Sequence, residues 1–208
     1  MDRIISEYPY HKDNDLNITP YGVAYQNDMT QLVSYDSEYF NKCLGYEGKD
    51  IALGINVGRI DFVKKYHIGM VLDVGIGSGE FIKSRGRCHG YDINPEAVKW
   101  LKENNLYSED FEAYKAFTFW DVIEHIPNPS IYFDRIPEDS YLFVSLPIFE
   151  SLDKIRESKH YRPNEHLYYW TDMGFTGWMW KHGFTLMESS NFETVAGREN
   201  IHSFAFFK

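Results

Sequence analysis

The feature that most constrains the fold of this chain is a glycine-rich segment directly after a short apolar run. The run at residues 70–74 is typical of a buried strand, and the following residues complete the pattern D-x-G-x-G-x-G, with glycine at positions 75, 77 and 79. Glycines at this spacing permit a tight turn and let a ligand approach the backbone closely. The segment therefore predicts a strand, a ligand-binding loop and a helix that begins near Glu80.

Strands and helices are expected to alternate around this loop. Apolar spacing predicts a helix over residues 51–66, and Asn94 followed by Pro95 is typical of a helix start. Further strands are predicted near residues 87–93, 116–120 and 141–146, and further helices near 80–84, 95–104 and 171–182. Two strands, at about 184–190 and 201–207, are expected to close the chain as an antiparallel hairpin with no helix between them. The pattern predicts an α/β, Rossmann-like, mostly parallel sheet with helices on both faces.

Two segments do not follow this alternation. A third parallel strand has only a remnant at residues 106–111, and residues 1–50 are polar, rich in tyrosine and interrupted by Pro9 and Pro20. We expect turns in this N-terminal stretch and one short helix at about 36–44. Residues 1–50 are therefore interpreted as an N-terminal extension that either covers the site as a lid or packs on the outside of a domain formed by residues 51–208.

The composition favours one globular domain in a reducing compartment. The 208 residues are 43% hydrophobic and include two cysteines, and no apolar run is long enough to span a bilayer. The N-terminus lacks the basic and apolar start of a signal peptide, so we expect a cytoplasmic protein with no membrane partner. The formal net charge of −10 opposes a large nucleic-acid footprint. A local basic patch, either a solvated loop or a site for an anionic ligand, comprises Lys154, Arg156, Lys159, His160 and Arg162.

Two acidic residues indicate what the glycine loop binds. A dinucleotide-binding loop would have a third glycine where Glu80 stands, and Asp73 would repel the pyrophosphate of such a ligand. A carboxylate at position 73 instead suits a ligand with a positive amino group, such as S-adenosylmethionine (SAM). Asp92, at the end of the second predicted strand, is expected beside the loop, where a carboxylate can accept hydrogen bonds from both ribose hydroxyls.

From Val71 to the C-terminus the sequence resembles class I SAM-dependent methyltransferases. The resemblance lies in the glycine loop, Asp92, residues 119–129 with their D-x-x-E-H sequence, residues 166–171 and the Gly183-Phe184 pair. It implies a seven-stranded sheet with an antiparallel last strand, and a SAM cofactor that is converted to S-adenosylhomocysteine. The residues that it implies for SAM binding are Asp73, Gly75, Gly77, Gly79, Asp92, Ile93, Asp110, Trp120 and Asp121. Asp110 takes the place of the family's adenine-binding acid, in a segment that is compressed in this sequence.

The methyl acceptor is expected to be a hydroxyl group of a small molecule, a sugar or a nucleotide. The sequence lacks the N/D-P-P-Y tetrapeptide of base-nitrogen methylation and contains no C-x-x-C pair. A hydroxyl acceptor needs a base or a metal to remove its proton. Glu124, His125 and His166 are the candidate catalytic residues, and His125 is the natural base near neutral pH.

A divalent metal site is the alternative way to activate a hydroxyl. Asp121, Glu124 and His125 have the spacing i, i+3, i+4, and with His166 they resemble the E-x-x-E-H motif and distant histidine of small-RNA 2′-O-methyltransferases. Ubiquinone-pathway O-methyltransferases carry a similar motif. Two carboxylates with imidazole suit Mn²⁺, Fe²⁺ or Co²⁺ better than Mg²⁺, although Asp121 is shorter than the family's glutamate. Three other hypotheses stay open: an RNA acceptor, an idle SAM-binding protein that binds a partner, and a dinucleotide oxidoreductase.

Overall fold

The computed structural model describes residues 1–30, 36–45 and 50–208. The strands are β1 His11–Asp13, β2 Leu16–Ile18, β3 Val23–Gln26, β4 Val71–Val74, β5 Cys88–Tyr91, β6 Ala116–Trp120, β7 Tyr141–Pro147, β8 Tyr168–Trp170, β9 Thr185–Ser190 and β10 Ile201–Phe207. The helices are α1 Ser37–Leu44, α2 Asp50–Lys64, α3 Glu80–Arg85, α4 Pro95–Glu103, α5 Ser130–Phe133, α6 Asp172–Lys181 and α7 Phe192–Val195. Short 3-10 turns also occur at Ile5–Glu7, Phe111–Ala113, Ile123–His125 and Leu152–Glu157.

The main sheet contains six of these strands, in the order β5-β4-β6-β7-β10-β9. β5, β4, β6 and β7 pair in parallel, whereas β10 is antiparallel to both of its neighbours. All residues of β4 and β6 are buried, which is why both strands are largely apolar runs in the sequence. The predicted α/β architecture, a mostly parallel sheet flanked by helices, is confirmed.

The strand number differs from the expected seven because the third parallel strand is missing from the described chain. In its place, Gly90 and Tyr107 form an isolated parallel bridge. Between α4 and β6, Asn105 adopts a left-handed φ of 57° and a 3-10 turn follows at Phe111–Ala113. These turns leave only a remnant of extended chain, at the position where the sequence showed one.

Side-chain caps explain the helix starts that the sequence predicted. The Asn94 side chain accepts a hydrogen bond from the Glu96 N–H at the start of α4, and Thr171 accepts one from the Gly174 N–H at the start of α6. Just after α6, Gly183 has a φ of 88°, which glycine adopts without strain. The predicted limits of both helices therefore agree with the structure to within a residue or so at each end.

The predicted closing hairpin needs one correction. β9 and β10 do pair antiparallel at the sheet edge, but β10 lies between β9 and β7, and the connection contains the one-turn helix α7. The polar sequence of this connection concealed the helix, because Glu193 within it is buried and held by ion pairs. α7 thus brings a charged side chain into the interior, next to the site described below.

The N-terminal stretch forms a second, four-stranded antiparallel sheet that the sequence did not predict. We call it the small sheet; its order is β1-β2-β3-β8, so strands near the N-terminus pair with one far along the chain. Its strands have only three or four residues, too few to show an alternating pattern. The short helix expected near residues 36–44 is present as α1. Residues 31–35 and 46–49 of the expected extension lie outside the described residues.

Buried side chains fill both faces of the main sheet. Neighbouring residues of a strand point to opposite faces, so Leu72 and Val74 of β4 belong to one cluster and Val71 to another. A third cluster joins Leu16 and Ile18 of the small sheet to Phe149. Among the described helices, none combines the length and the apolar character that a membrane span requires.

Candidate functional site

The glycine loop lies at the carboxyl end of β4 and leads into α3. Gly75, Gly77 and Gly79 have φ angles of 77°, 55° and 74°, a region that other residues rarely adopt. A Cβ atom at Gly75 would lie 2.6 Å from Val122, and one at Gly79 would lie 2.8 Å from Trp100. At Gly77 a Cβ would meet no atom within 4 Å, so the space beside it is open to a ligand.

Asp73 lies at the buried base of this loop. It is 1% exposed, and its carboxyl accepts a hydrogen bond from the Thr118 hydroxyl at 2.6 Å. Burial raises the pKa of Asp73 to about 7, against the smaller opposing effect of that hydrogen bond. A buried carboxyl with an elevated pKa is a group that gains stability when a cation binds beside it.

Asp92 lies directly after β5 and beside the glycine loop. One of its oxygens accepts a hydrogen bond from the Ile76 N–H at 2.9 Å, and the other accepts one from the Asn94 N–H at 2.8 Å. Burial raises the pKa of Asp92, while these backbone hydrogen bonds oppose the rise. Asp92 therefore ties the loop to the start of α4, and each oxygen keeps a second lone pair for a ligand hydroxyl.

Two cavities adjoin at the carboxyl end of the parallel strands. The first, which we call the polar cavity, has a volume of about 620 Å³, and its walls include Arg59, Asp73, Glu124, Arg162 and His166. The second, the apolar cavity, has a volume of about 600 Å³, and its walls include Phe40, Tyr91, Asp92, Ile93 and Ile131. The residues common to both walls are Gly75, Gly77, Trp120, Asp121 and His125. One elongated ligand can therefore extend from the first cavity into the second.

Asp121, between the two cavities, is held by two arginines. Its carboxylate accepts hydrogen bonds from Arg59 at 2.8 Å and from Arg198 at 2.9 and 3.0 Å. Both arginines also bind the buried Glu193, so the four charges balance one another. Burial alone would raise the pKa of Asp121, but Arg198 and Arg59 outweigh it and hold the pKa well below its usual range.

The structure does not bring Asp121 into the expected metal-ligand group. Asp121 has a left-handed φ of 58°, and the 3-10 turn Ile123–His125 begins only after it. Asp121 and Glu124 therefore do not share the helical turn on which the i, i+3, i+4 argument depended. Both carboxylate oxygens of Asp121 already accept hydrogen bonds from arginine.

Glu124, His125 and His166 do come together in the polar cavity. One metal-ligating atom from each lies within 4.8 Å of those of the other two. The imidazole rings are nearly perpendicular, at 82°, with centroids 4.8 Å apart. Nδ1 of His125 lies 2.8 Å from the carbonyl oxygen of Glu165, and because a carbonyl only accepts, Nδ1 carries the proton. In the neutral ring, Nε2 of His125 then holds the basic lone pair.

Burial sets the protonation of this cluster. It raises the pKa of Glu124, which the charge of Asp121 raises further, and it lowers the pKa of His125. Burial, followed by the effect of His125, lowers the pKa of His166 to about 3. Oε2 of Glu124 and Nδ1 of His166 are buried without a hydrogen-bond partner, a costly arrangement that a ligand or an ion would relieve. Neutral imidazoles and orphaned polar atoms are features of a catalytic base or of a metal site.

Of the remaining residues expected to bind SAM, Trp120 and Ile93 line a cavity and Asp110 does not. The Trp120 ring lies under the Arg59 guanidinium, 4.8 Å from its carbon to the ring centroid. Ile93 is 63% exposed on the wall of the apolar cavity. Asp110 is exposed at the start of a 3-10 turn and belongs to neither wall. The compression that removed the third strand also removed this acid from its expected place.

The basic patch is largely neutralised by neighbouring acids. Arg156 forms ion pairs with two aspartates of the β1–β2 hairpin, and Lys159 forms one with Glu199 at 3.0 Å. Arg162 and His160 line the polar cavity, and Arg162 forms an ion pair with Glu165 at 3.3 Å. The patch is therefore not one continuous anion site, and Arg162 is the part of it that can meet a ligand in the cavity.

Sequence reasoning missed the arginine pair and the acid that joins them. Arg59 and Arg198 are 62 and 77 positions from Asp121, so no local spacing connects them. The one available signal was Arg59 itself, a charge placed four residues after Ile55 on the apolar side of a predicted helix. A buried charge in such a position requires a partner, but the sequence does not say which.

Comparisons with known proteins agree with this geometry. A family model described as a methyltransferase domain matches residues 52–189, which is more than half of the chain. No curated protein sequence matches the chain at a significant level. Magnesium protoporphyrin IX methyltransferase from Synechocystis PCC 6803, solved with bound S-adenosylhomocysteine, is similar in structure, with a TM-score of 0.54 and 13% identity over 81% of this chain and 93% of that chain.

Two further solved structures show the same likeness. A SAM-dependent methyltransferase from Archaeoglobus fulgidus has a TM-score of 0.53 and 19% identity over 82% of this chain and 99% of that one. A glycopeptide N-methyltransferase complexed with S-adenosylhomocysteine has a TM-score of 0.53 and 9% identity over 73% of this chain and 86% of that one.

The chain belongs to the methyltransferase domain family and is a class I SAM-dependent methyltransferase. The predicted family, fold and SAM cofactor are confirmed at this level. The similar proteins are named for chemically different methyl acceptors, a porphyrin and a glycopeptide. The fold therefore does not identify the acceptor. The assignment of the D-x-x-E-H segment stays a prediction.

Proposed function

We propose that this methyltransferase transfers the methyl group of SAM to a hydroxyl group of a small molecule, a sugar or a nucleotide. The observation that supports the proposal best is the position of His125, on the wall shared by the two cavities and beside His166. Burial keeps both imidazoles neutral, so His125 offers a lone pair that can take a proton, whereas His166, with a pKa of about 3, stays unprotonated and orients the acceptor.

The two cavities fit the two halves of SAM. In the proposed placement the adenosine half occupies the apolar cavity, where Asp92 accepts hydrogen bonds from the ribose hydroxyls and Ile93 packs on the base. The methionine half occupies the polar cavity, with Asp73 at its ammonium group and Arg59 beside its carboxylate. When bound, SAM supplies a methyl group that its sulfonium has already activated. The protein's contribution is to orient donor and acceptor and to exclude water.

His125 is proposed as the base for the acceptor hydroxyl. The carbonyl of Glu165 fixes its Nδ1–H, so the ring orientation is set and Nε2 takes the proton. His166 and Glu124 line the same part of the polar cavity and orient the acceptor oxygen. An intact glycine loop together with this cluster favours a catalyst over an idle SAM-binding protein.

Calorimetry and a labelled-donor assay test the proposal. We expect micromolar binding of SAM and S-adenosylhomocysteine and no comparable binding of NAD. Incubation with methyl-labelled SAM and fractionated metabolites or RNA should transfer the label to oxygen, and His125→Asn should reduce the transfer without weakening SAM binding. Tighter binding of NAD than of SAM would overturn the donor assignment. Label found on nitrogen or carbon would overturn the hydroxyl acceptor.

A divalent metal in place of the simple base is a second candidate that one observation favours. The residues Glu124, His125 and His166 converge, and two of their polar atoms are buried without partners. One carboxylate with two imidazoles suits Mn²⁺, Fe²⁺ or Co²⁺. Such an ion, when bound, lowers the pKa of a coordinated hydroxyl. The three residues would hold it, without Asp121.

Metal removal separates the two candidates. With a metal, EDTA abolishes methyl transfer, Mn²⁺ restores it, and Glu124→Ala is as damaging as His125→Ala. Binding of Mn²⁺ to the apoprotein, followed by electron paramagnetic resonance, gives a readout that needs no acceptor. Full activity in EDTA leaves His125 as a metal-free base.

The N-terminal extension is proposed to have two roles. α1 acts as a lid on the donor side, because Phe40 lines the apolar cavity and the Asn94 side chain donates a hydrogen bond to the Asp36 carbonyl at 2.9 Å. Residues 1–30 instead build the small sheet and pack against the domain formed by residues 51–208. A nucleotide or RNA acceptor is less favoured, because Arg156, Lys159 and Arg162, three of the five residues of the basic patch, are ion-paired.

A further inference from the structure

The small sheet ends beside the candidate catalytic histidine. β8 begins two residues after His166, and β3 pairs with β8 along its length. At the end of β3, the Gln26 N–H donates a hydrogen bond to the Leu167 carbonyl at 2.9 Å. The segment that carries His166 is therefore joined to the N-terminal strands by main-chain hydrogen bonds.

Two buried side chains continue this connection to His166 itself. The Gln26 amide donates a hydrogen bond to the Tyr169 hydroxyl at 2.8 Å, and that hydroxyl donates one to the His166 carbonyl at 3.1 Å. The Gln26 amide also lies 3.5 Å from the His166 carbonyl, a weaker contact. Gln26 is 4% exposed and Tyr169 is fully buried, so water does not compete for these bonds.

The opposite side of the same segment is held by the Glu124 turn. The Leu167 N–H donates a hydrogen bond to the Glu124 carbonyl at 2.7 Å. The peptide group between His166 and Leu167 therefore has fixed partners at both ends, Tyr169 at its carbonyl and Glu124 at its N–H. This fixes the backbone from which the His166 ring extends toward Glu124 and His125.

We propose that Gln26 and Tyr169 are positioning residues that hold His166 in the acceptor site, so that the N-terminal strands are part of the catalytic machinery. The proposal rests on the proposed function of His166. Neither residue lines either cavity. Gln26 acts through the Tyr169 hydroxyl and the His166 carbonyl, and Tyr169 acts through that carbonyl and through its ring, whose centroid lies 6.3 Å from that of the His166 ring. The stretch matched by the family model begins at residue 52, so Gln26 lies outside it.

A matched pair of variants tests the proposal. Gln26→Leu removes the amide that binds Tyr169, and Asn17→Leu removes another buried amide from the neighbouring strand of the same sheet. We expect a smaller loss of thermal stability from Asn17→Leu, because the Asn17 amide oxygen is buried without a hydrogen-bond partner whereas Gln26→Leu breaks the bond to Tyr169. SAM affinities of both variants should stay within about twofold of the wild type by calorimetry. The His166 ring signals in nitrogen-15 NMR spectra should shift only in Gln26→Leu. With an acceptor in hand, kcat should fall about tenfold in Gln26→Leu while the KM for SAM is unchanged.

A second variant keeps the test decisive if Gln26→Leu does not fold. Tyr169→Phe removes only the hydroxyl that joins Gln26 to His166, and the same shift of the His166 signals is expected. Unchanged His166 signals in a folded Gln26→Leu or Tyr169→Phe protein would overturn the proposal. Failure of SAM to bind the wild type would instead contradict the proposed function, and it would leave the NMR comparison valid.

Discussion

At the scale of single residues, Asp73 and Asp92 serve the donor site in different ways. Asp73 is buried with a raised pKa and one hydroxyl donor, whereas Asp92 is held by two backbone N–H groups. Asp73 can lose its proton and pair with the ammonium group when SAM binds. Asp92 is a fixed acceptor that also maintains the shape of the loop.

SAM affinity is expected to depend on pH through Asp73. Its pKa of about 7 without ligand means that the carboxyl is mostly protonated below that pH and cannot pair with the ammonium group. Affinity should therefore fall by about tenfold for each pH unit below 7. Calorimetry between pH 5.5 and 7.5 measures this dependence, which Asp73→Asn should abolish. A flat profile in the wild type would contradict the assignment of Asp73.

The same pKa has a consequence for stability. The pKa of Asp73 in the folded chain lies above that of an exposed aspartate, so its contribution to stability is present at low pH and is lost as the pH rises through about 7. SAM should restore this loss, since the ammonium group compensates the charge. The thermal shift produced by SAM is therefore expected to be larger at pH 8 than at pH 6.

Asp92→Ala should weaken SAM binding by about 1–3 kcal/mol, the range for hydrogen bonds to a charged group. The variant loses the acceptors for the ribose hydroxyls, and it also releases the Ile76 and Asn94 N–H groups. Asp110→Ala is the matched control, because that exposed acid lines neither cavity. Equal affinities for the two variants by calorimetry would show that Asp92 only supports the fold.

At the scale of elements, the sequence could predict those that are long enough to show a pattern and whose stabilising residues are close together in the chain. The buried strands β4 and β6 and the capped helix α4 carry their signals within a few residues, so their limits were predictable. The small sheet is stabilised by the pairing of β3 with β8, which is distant in the sequence. A strand of three residues, such as β8, is too short to show the alternation of buried and exposed residues by which strands are predicted. α7 was hidden because its one buried residue is charged.

The candidate site shows the same division. The glycine loop, Asp92 and the Glu124–His125 turn could be found from local pattern. The role of Asp121 could not, because it is set by arginines from α2 and from beyond α7. The contact of Gln26 with the His166 segment could not be predicted either, because it exists only through the pairing of β3 with β8.

A buried carboxylate helps to hold the N-terminal segment against the main domain. Asp2 accepts hydrogen bonds from the Trp178 indole N–H at 3.0 Å and from the Ser130 hydroxyl at 2.5 Å, and Nε2 of His182 lies 3.2 Å from it. Burial alone would raise the pKa of Asp2, but the contacts with His182, Ser130 and Trp178 outweigh it and hold the pKa well below its usual range.

Asp2→Ala should lower the free energy of unfolding by about 2–4 kcal/mol, because the substitution leaves buried donors without an acceptor. Since the folded pKa is depressed, this contribution is present at neutral pH and is lost as the pH falls through the acid range. Arg3→Ala is the control, because its ion pair with Asp134 is exposed and should contribute little. Urea unfolding of both variants measures the difference, and equal midpoints would contradict the role of Asp2.

At the scale of the whole molecule, the net charge of −10 and the ion-paired patch argue against broad attraction of polyanions. Within the basic patch, Arg162 and His160 line the polar cavity, and burial lowers the pKa of His160. Arg162, which pairs with Glu165 at 3.3 Å, is therefore the permanently charged member of the patch in that wall. If the acceptor carries an anionic group, Arg162→Ala should raise the acceptor KM about tenfold, as for loss of a charge-assisted hydrogen bond, and leave SAM binding unchanged.

Lys154→Ala is the comparison for this measurement, because Lys154 lies in the same patch but not in the wall of the polar cavity. It should leave the acceptor KM unchanged. Indifference of the KM to both substitutions and to salt concentration would point to an uncharged acceptor.

The pairing of β3 with β8 also has a consequence for the order in which the molecule is assembled. Gln26 and Tyr169 are 143 positions apart, so at synthesis rates of 5–20 residues per second the N-terminal strands wait on the order of ten seconds for their partner. During that interval one edge of β3 offers unpaired backbone groups, which invite incorrect pairing. Strands of only three or four residues keep that edge short. The acceptor side of the site is thus completed late, after the strand and loop that bind the donor have been made.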